Sequence, residues 1–269
     1  MEYRTLGRTG LRVSRIGLGL AALGRPGYIN LDHDEDLAGE YDVGAMEAHT
    51  HDVLDAAWAA GIRYYDAARS YGRAEAFLSS WLRARRIDPR QVTVGSKWGY
   101  TYTAGWQVDA EVHEVKEHSL EVLRRQRQES DELLGRYLDL YQIHSATLES
   151  GVMDYDEVLA ELARYRAAGL AIGFSVSGPR QAEVIERALG VSVGSERLFD
   201  AVQVTWNLLE PSTGAILQRA SEAGLGVIVK EAVANGRLTS RNDSPDFARP
   251  RALLEGGASA LGTPLDALA

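Results

Sequence analysis

The chain has 269 residues, a formal net charge of −9, 45% hydrophobic residues, five tryptophans and no cysteine. That length suits one large α/β barrel domain or two small domains, and the apolar fraction is ample for a buried core. The negative charge argues against a nucleic-acid groove, and the lack of cysteine excludes disulfides, thiolate catalysis and zinc–thiolate sites. Residues 1–20 carry Arg4, Arg8, Arg12 and Arg15 without an apolar run, so no secretory signal is expected. No stretch approaches the roughly 18 uninterrupted apolar residues of a transmembrane helix, so no membrane association and a cytoplasmic location are expected.

The opening Tyr3–Val13 alternates around a glycine-flanked turn and predicts a β-hairpin. Strand-like and helix-like stretches alternate after it. Strands are predicted at 15–20, 62–66, 92–97, 138–143, 171–175, 201–205 and 226–230. Helices are predicted at 47–59, 74–86, 109–126, 155–167, 179–188, 212–222 and 250–260. Such alternation implies βα units on a parallel sheet. Ala60-Gly61-Ile62, Ala168-Gly169-Leu170 and Ala223-Gly224-Leu225 repeat one helix-to-strand joint, where glycine suits the left-handed closing position. The long irregular stretches 21–46, 98–108 and 231–249 each follow a strand, which places function at the C-terminal ends of the strands. The expected fold is a single (β/α)8 TIM barrel over residues 1–269 with an N-terminal hairpin. Only seven βα units are countable. Thr263-Pro264 reads as the start of another helix, so the barrel is expected to be C-terminally incomplete before its eighth unit. An open barrel of seven strands exposes two edges and needs compensating contacts.

Four side chains end successive predicted strands or lie just beyond them: Asp66, Tyr71, Lys97 and His144. Neighbouring strand ends of a parallel fold lie side by side, so an acid, a phenol, an amine and an imidazole converge on one pocket. Gly17-Leu18-Gly19 formally opens a dinucleotide fingerprint. However, Gly24-Arg25-Pro26-Gly27 breaks the helix that fingerprint requires. His113 and His118 read as residues of a polar helix face with structural or solvent roles, and the acidic run from Asp32 to Asp42 as solvated loop.

The words around the four residues resemble the aldo-keto reductase family. Gly61, Arg63, Asp66, Ala68, Tyr71 and Gly72 match its signature, with Ala67 where the family usually has threonine. Asp139, Leu140 and His144 match a second word. The resemblance implies an NAD(P)(H)-dependent oxidoreductase acting on an aldehyde, ketone or sugar carbonyl, or running in reverse as a sugar dehydrogenase. It implies Tyr71 as general acid/base, Lys97 paired with Asp66 and pulling the phenol's pKa down, and His144 orienting the substrate oxygen. It further implies Ser175 and Gln203 at the nicotinamide carboxamide. The loop from Lys230 through Ala234, Gly236 and Leu238 would hold the pyrophosphate on its backbone amides. Val176 and Lys230 depart from the family pattern, Lys230 standing where an aromatic usually stacks. NADP(H) is favoured as cofactor, with NAD(H) the alternative. Trp98, Tyr100, Tyr102 and Trp106 suggest an aromatic-walled pocket. The rival readings are a non-catalytic cofactor-binding regulatory subunit and an inactive truncated fragment.

Overall fold

The computed structural model describes residues 1–28, 37, 39–239, 242 and 245–264. Its strands are β1 (Tyr3–Thr5), β2 (Arg12–Ser14), β3 (Leu18–Gly19), β4 (Tyr64–Asp66), β5 (Thr93–Trp98), β6 (Tyr100–Tyr102), β7 (Glu114–Lys116), β8 (Leu138–Ala146), β9 (Ala171–Val176), β10 (Ser192–Val193), β11 (Glu196–Arg197), β12 (Ala201–Thr205) and β13 (Gly226–Lys230). Its α-helices are α1 (Val43–Ala59), α2 (Ala74–Ala84), α3 (Leu120–Leu133), α4 (Asp156–Ala167), α5 (Gln181–Leu189), α6 (Gly214–Glu222) and α7 (Ala248–Ala260).

Seven parallel strands form one curled sheet in the order β13-β12-β9-β8-β5-β4-β3. All seven fall where the hydrophobic runs place them. Side chains alternate faces along each strand. The outward set, including Tyr65, Val94, Trp98, Tyr141, Ile143 and Phe174, packs with helical residues such as Leu78, Trp81, Leu123 and Leu162 in the main core. The inward set forms a small separate layer of Tyr64, Leu140 and Ala201, from alternate strands, roofed by Leu6 of the hairpin turn. Layering by alternate strands is the filling pattern of a TIM barrel.

β3 and β13 are the two edges of the sheet, and no pairing joins them among the described residues. The hairpin β1–β2 reaches across the N-terminal ends of the strands instead. Arg8 N donates to Gly224 O at 2.9 Å, and its guanidinium bonds Asp200 and Phe199 O. On the other side Arg63 N donates to Ser14 Oγ at 2.8 Å and Thr93 Oγ1 to Arg12 O at 3.1 Å. A Cβ on Gly226 would lie 2.5 Å from Leu6 Cγ, so this closure depends on a glycine at the foot of the last strand. These contacts tie the strands together at their N-terminal ends and leave the β3 and β13 edges unpaired among the described residues.

Two expectations need correction. The helix expected over 109–126 runs instead from Leu120, where Ser119 Oγ accepts from Val122 N, to Leu133. The preceding residues form the antiparallel pair β6–β7, in which Val115 is exposed and carries no helical face. His113 and His118 therefore precede the helix, and His118 is buried. The joint between α5 and β12 contains the short hairpin β10–β11. As expected, the residues after Leu20 form turns, so the glycine pair at Gly17 and Gly19 opens no helix. Asp42, at the end of the acidic run, caps α1 by accepting from Gly44 N and Ala45 N. The rest of that run from Asp32, apart from Leu37, Gly39, Glu40 and Tyr41, lies outside the described residues, as does any helix after Thr263-Pro264.

At the opposite end of β8 from His144, Asp139 Oδ2 accepts from Val94 N at 3.0 Å, where the β5–β8 register shifts. Burial lifts its carboxyl to about 6. A raised carboxyl pKa means the folded state holds the proton more tightly than the unfolded chain. Its stabilising effect is full below about 4 and is lost as pH rises through about 6. Asp139→Asn, which keeps an acceptor for Val94, is therefore expected to gain stability over the wild type only as pH climbs through that window. Denaturant midpoints at both ends of the window check this; a constant difference between the two proteins contradicts it.

Candidate active site

Asp66, Lys97, His144 and Gln203 lie on the inward face above the packed layer, whereas Tyr71 lies in the loop after β4. Tyr64 precedes Asp66, Gly95 precedes Lys97, Leu140 and Gln142 precede His144, and Ala201 precedes Gln203. Register then sets neighbours: Lys97 is level with Gln142, and Ser175 with Gln203 and Ile228.

Lys97 is fully buried. Its Nζ donates to Asp66 Oδ2 in a short ion pair and to Ala67 O at 2.9 Å. Asp66 Oδ1 accepts from Tyr64 OH at 3.1 Å and from Gln142 Nε2 at 3.2 Å. The carboxylate is thus held by three donors on three strands. Gly95 leaves room for this set, since a Cβ there would lie 2.9 Å from Tyr64 OH.

Tyr71 stands beside the pair, with Lys97 Nζ 4.9 Å from its ring centre. Its loop is locked by close backbone approach. Arg73 N donates to Gly24 O at 2.7 Å, and a Cβ on Gly24 would lie 2.2 Å from Tyr71 O. The expected downward pull of Lys97 on the phenol is not what results. Burial pushes Tyr71 above its ordinary value, the charge of Asp66 adds to the rise, and Arg25 opposes it. The phenol is held protonated. Tyr71's hydroxyl has no hydrogen-bond partner among the described residues.

His144 lies edge-on to Tyr71 at 5.4 Å between ring centres and to Tyr100 at 4.9 Å. Its Nδ1 is 3.4 Å from Ser70 Oγ. Burial first, then Lys97 and other nearby cations, push its pKa well down, so the imidazole is neutral. The chain turns sharply after it, with Ser145 at φ 52°, and Ser145 N donates to Ser175 Oγ at 2.8 Å. His118 Nε2 donates to His144 O at 3.0 Å, and burial lowers its own pKa to about 4. A Cβ on Gly99, at φ +107°, would strike the His118 ring at 2.2 Å.

Of the cofactor candidates, Ser175 and Gln203 are buried neighbours, and the Gln203 side-chain amide has no partner among the described residues. An unpartnered buried amide on the inward face of β12 fits a carboxamide, which matches it donor for acceptor. Lys230 Nζ instead donates to Thr205 Oγ1 at 2.6 Å and pairs with Glu231 at 3.2 Å. The amides of Ala234, Gly236 and Leu238 all bond inside their own loop, so in this conformation they do not form an anion cradle. Val233 leads into a run of left-handed residues, Ala234, Asn235 and Gly236.

Of the four aromatics expected to wall the pocket, Tyr100 alone is in ring contact with His144. Trp98 is on the outward face against His118, and Trp106 packs on Phe77 and donates to Tyr41 O. A surface depression of about 460 Å³ is lined only by α3 and α4 side chains and has no part in this cluster. Two site residues, Gln142 and Arg25, went unread in the sequence. Gln142 shares the inward face of β8 with His144, so alternation marks it. Arg25 carries no such signal, whereas Glu75 stands just beyond the signature word that ends at Gly72. Glu75 sits behind the sheet, bonded to Ser96 Oγ at 2.5 Å, Ser130 Oγ at 2.7 Å and Arg69, which braces the strand of Lys97 from the helix side.

Residues 15–255 match the profile of the Aldo/keto reductase family. Over 248 residues the chain is 27% identical to the uncharacterized oxidoreductase YqkF of Bacillus subtilis, covering 90% of this chain and 68% of that one. It is 30% identical over 164 residues to pyridoxal 4-dehydrogenase of Microbacterium luteolum, covering 53% of this chain and 43% of that enzyme. The fold superposes on an aldo-keto reductase of Bacillus halodurans in its holo form with a TM-score of 0.68, at 22% identity, covering 91% of this chain and 71% of that one. Within the described residues no helix is long and apolar enough to cross a membrane. The chain belongs to the aldo/keto reductase family of oxidoreductases.

Proposed function

We propose that the protein transfers hydride between NAD(P)(H) and a small aldehyde, ketone or sugar carbonyl, with Tyr71 as the proton donor and acceptor. The observation that carries this reading is the convergence of a protonated phenol, a buried Lys97–Asp66 pair and a neutral imidazole at adjacent strand ends. A bound reduced nicotinamide would supply the hydride to the carbonyl carbon. Tyr71 then gives its proton to the carbonyl oxygen, while neutral His144, able to donate one N–H, hydrogen-bonds that oxygen and sets its approach. Ser175 and Gln203 would hold the carboxamide. The high proton affinity of Tyr71 favours reduction and makes the reverse oxidation rise with pH, because oxidation needs the phenolate.

Tyr100, in ring contact with His144, and Tyr28, beside Arg25, would limit substrate size and favour a planar or sugar-like carbonyl. The relative named for pyridoxal adds that aromatic aldehyde to the panel. NADP(H) is the favoured cofactor, and a cytoplasmic setting fits a chain without cysteine. The test is fluorescence titration with NADPH and NADH, followed by hydride-transfer assays on aldehydes, aldoses and pyridoxal. Binding with turnover is expected. Binding without turnover on the whole panel replaces this reading with a regulatory one, and no binding of either cofactor refutes it.

A further inference from the structure

We propose that Arg25 is a second positioning cation for Tyr71 beside Lys97, with its effective charge metered by Glu114. This rests on the reading of Tyr71 as the proton-transfer group.

The geometry is built from three contacts. The Arg25 guanidinium lies 5.8 Å from the Tyr71 ring centre and 5.1 Å from that of Tyr28. Its Nη1 donates to Ser70 O at 3.3 Å, so it is fastened to the residue immediately before Tyr71. The same Nη1 donates to Glu114 Oε2 at 3.0 Å, which ties it to β7. The arginine side chain is 11% exposed, and its Nε is buried with no hydrogen-bond partner among the described residues. One carboxylate, itself 28% exposed, thus leaves the guanidinium's charge only partly compensated. The backbone interlock of Gly24 with Tyr71 and Gly72 fixes the distance, since a Cβ on Gly72 would meet Arg25 Cβ at 3.0 Å.

Lys97 is poorly placed to do this work alone. Its amine is neutralised directly by Asp66, and that carboxylate itself opposes ionisation of Tyr71. The charges around the phenol are Asp66 on β4, Lys97 on β5, Glu114 on β7, Glu231 after β13 and Arg25. The uncharged neighbours are Tyr28 and the neutral His144 of β8. Arg25 favours the phenolate of Tyr71, and Glu114 acts in the opposite sense. Charge removal at the two positions must therefore move the phenol in opposite directions, whereas loss of a merely structural clamp moves both variants alike.

The experiment replaces Tyr71 with ortho-nitrotyrosine, whose phenol is more acidic and absorbs visibly when ionised, and titrates it optically in the full chain. Arg25→Gln is expected to raise the midpoint by about one pH unit, as loss of a nearby opposite charge does. Arg25→Lys should restore most of that shift, and Glu114→Gln should lower the midpoint below the parent's. An unmoved midpoint in Arg25→Gln, or shifts of the same sign in Arg25→Gln and Glu114→Gln, overturns the proposal. The readout needs no turnover. If an unmodified Tyr71→Phe enzyme kept its rate, the catalytic reading would fail while the titration still decided the role of Arg25.

Discussion

Tyr71→Phe is expected to slow carbonyl reduction by about 10²–10⁴-fold, the range that a positioned general acid contributes. Folding and nicotinamide affinity should be unaffected. The substitution removes one oxygen whose hydroxyl has no hydrogen-bond partner among the described residues, so no donor or acceptor is orphaned by its loss. The ring keeps its contacts with His144 at 5.4 Å, Lys97 at 4.9 Å and Arg25 at 5.8 Å. Single-turnover hydride transfer, cofactor titration and thermal unfolding measured on the same preparation separate the three quantities. Wild-type turnover would remove Tyr71 from the chemistry. A large drop in melting temperature would mean that the phenol serves the fold instead.

The inward column of the sheet was legible in the sequence because strand alternation is rigid. Once Tyr64, Gly95, Leu140 and Ala201 are read as the packed layer, the residues two positions on must point the same way. That rule yields Asp66, Lys97, Gln142 and Gln203 from periodicity alone, and it puts Trp98 on the outward face, one position past Lys97. The β6–β7 pair was not legible in the same way. Glu111 to Leu120 alternates too weakly to distinguish a strand from the first turns of a helix, and the cap that settles the matter is a single serine, Ser119.

Arg25 was unreadable for a different reason. Its position depends on a non-local meeting of Gly24 with Tyr71 and Gly72, and nothing near residue 25 signals that encounter. The direction of the Tyr71 shift had the same character. Residue types alone suggest that a neighbouring ammonium lowers a phenol. The outcome is decided by depth of burial and by the carboxylate that neutralises the ammonium.

Lys97→Met alone is expected to destabilise the protein by about 3–5 kcal/mol, because it strands Asp66 in a nearly closed site. Asp66 has a side chain 11% exposed and would keep only Tyr64 OH and Gln142 Nε2 as donors. Asp66→Asn alone is expected to be comparably harmful, since it leaves a fully buried ammonium whose other partner is the carbonyl of Ala67. The double variant removes both charges while the asparagine's amide oxygen remains an acceptor for Tyr64 and Gln142, so it should recover most of the loss. Activity should not return with stability. The double variant folds around an apolar methionine in place of Lys97, which can neither orient the phenol nor hold charge beneath it. Chemical denaturation of the four proteins in a double-mutant cycle reads the coupling directly. If the two single losses simply add, the pair is no stabilising unit. If the double variant also recovers turnover, Lys97 and Asp66 support only the fold, and the proton affinity of Tyr71 is governed from the Arg25 side.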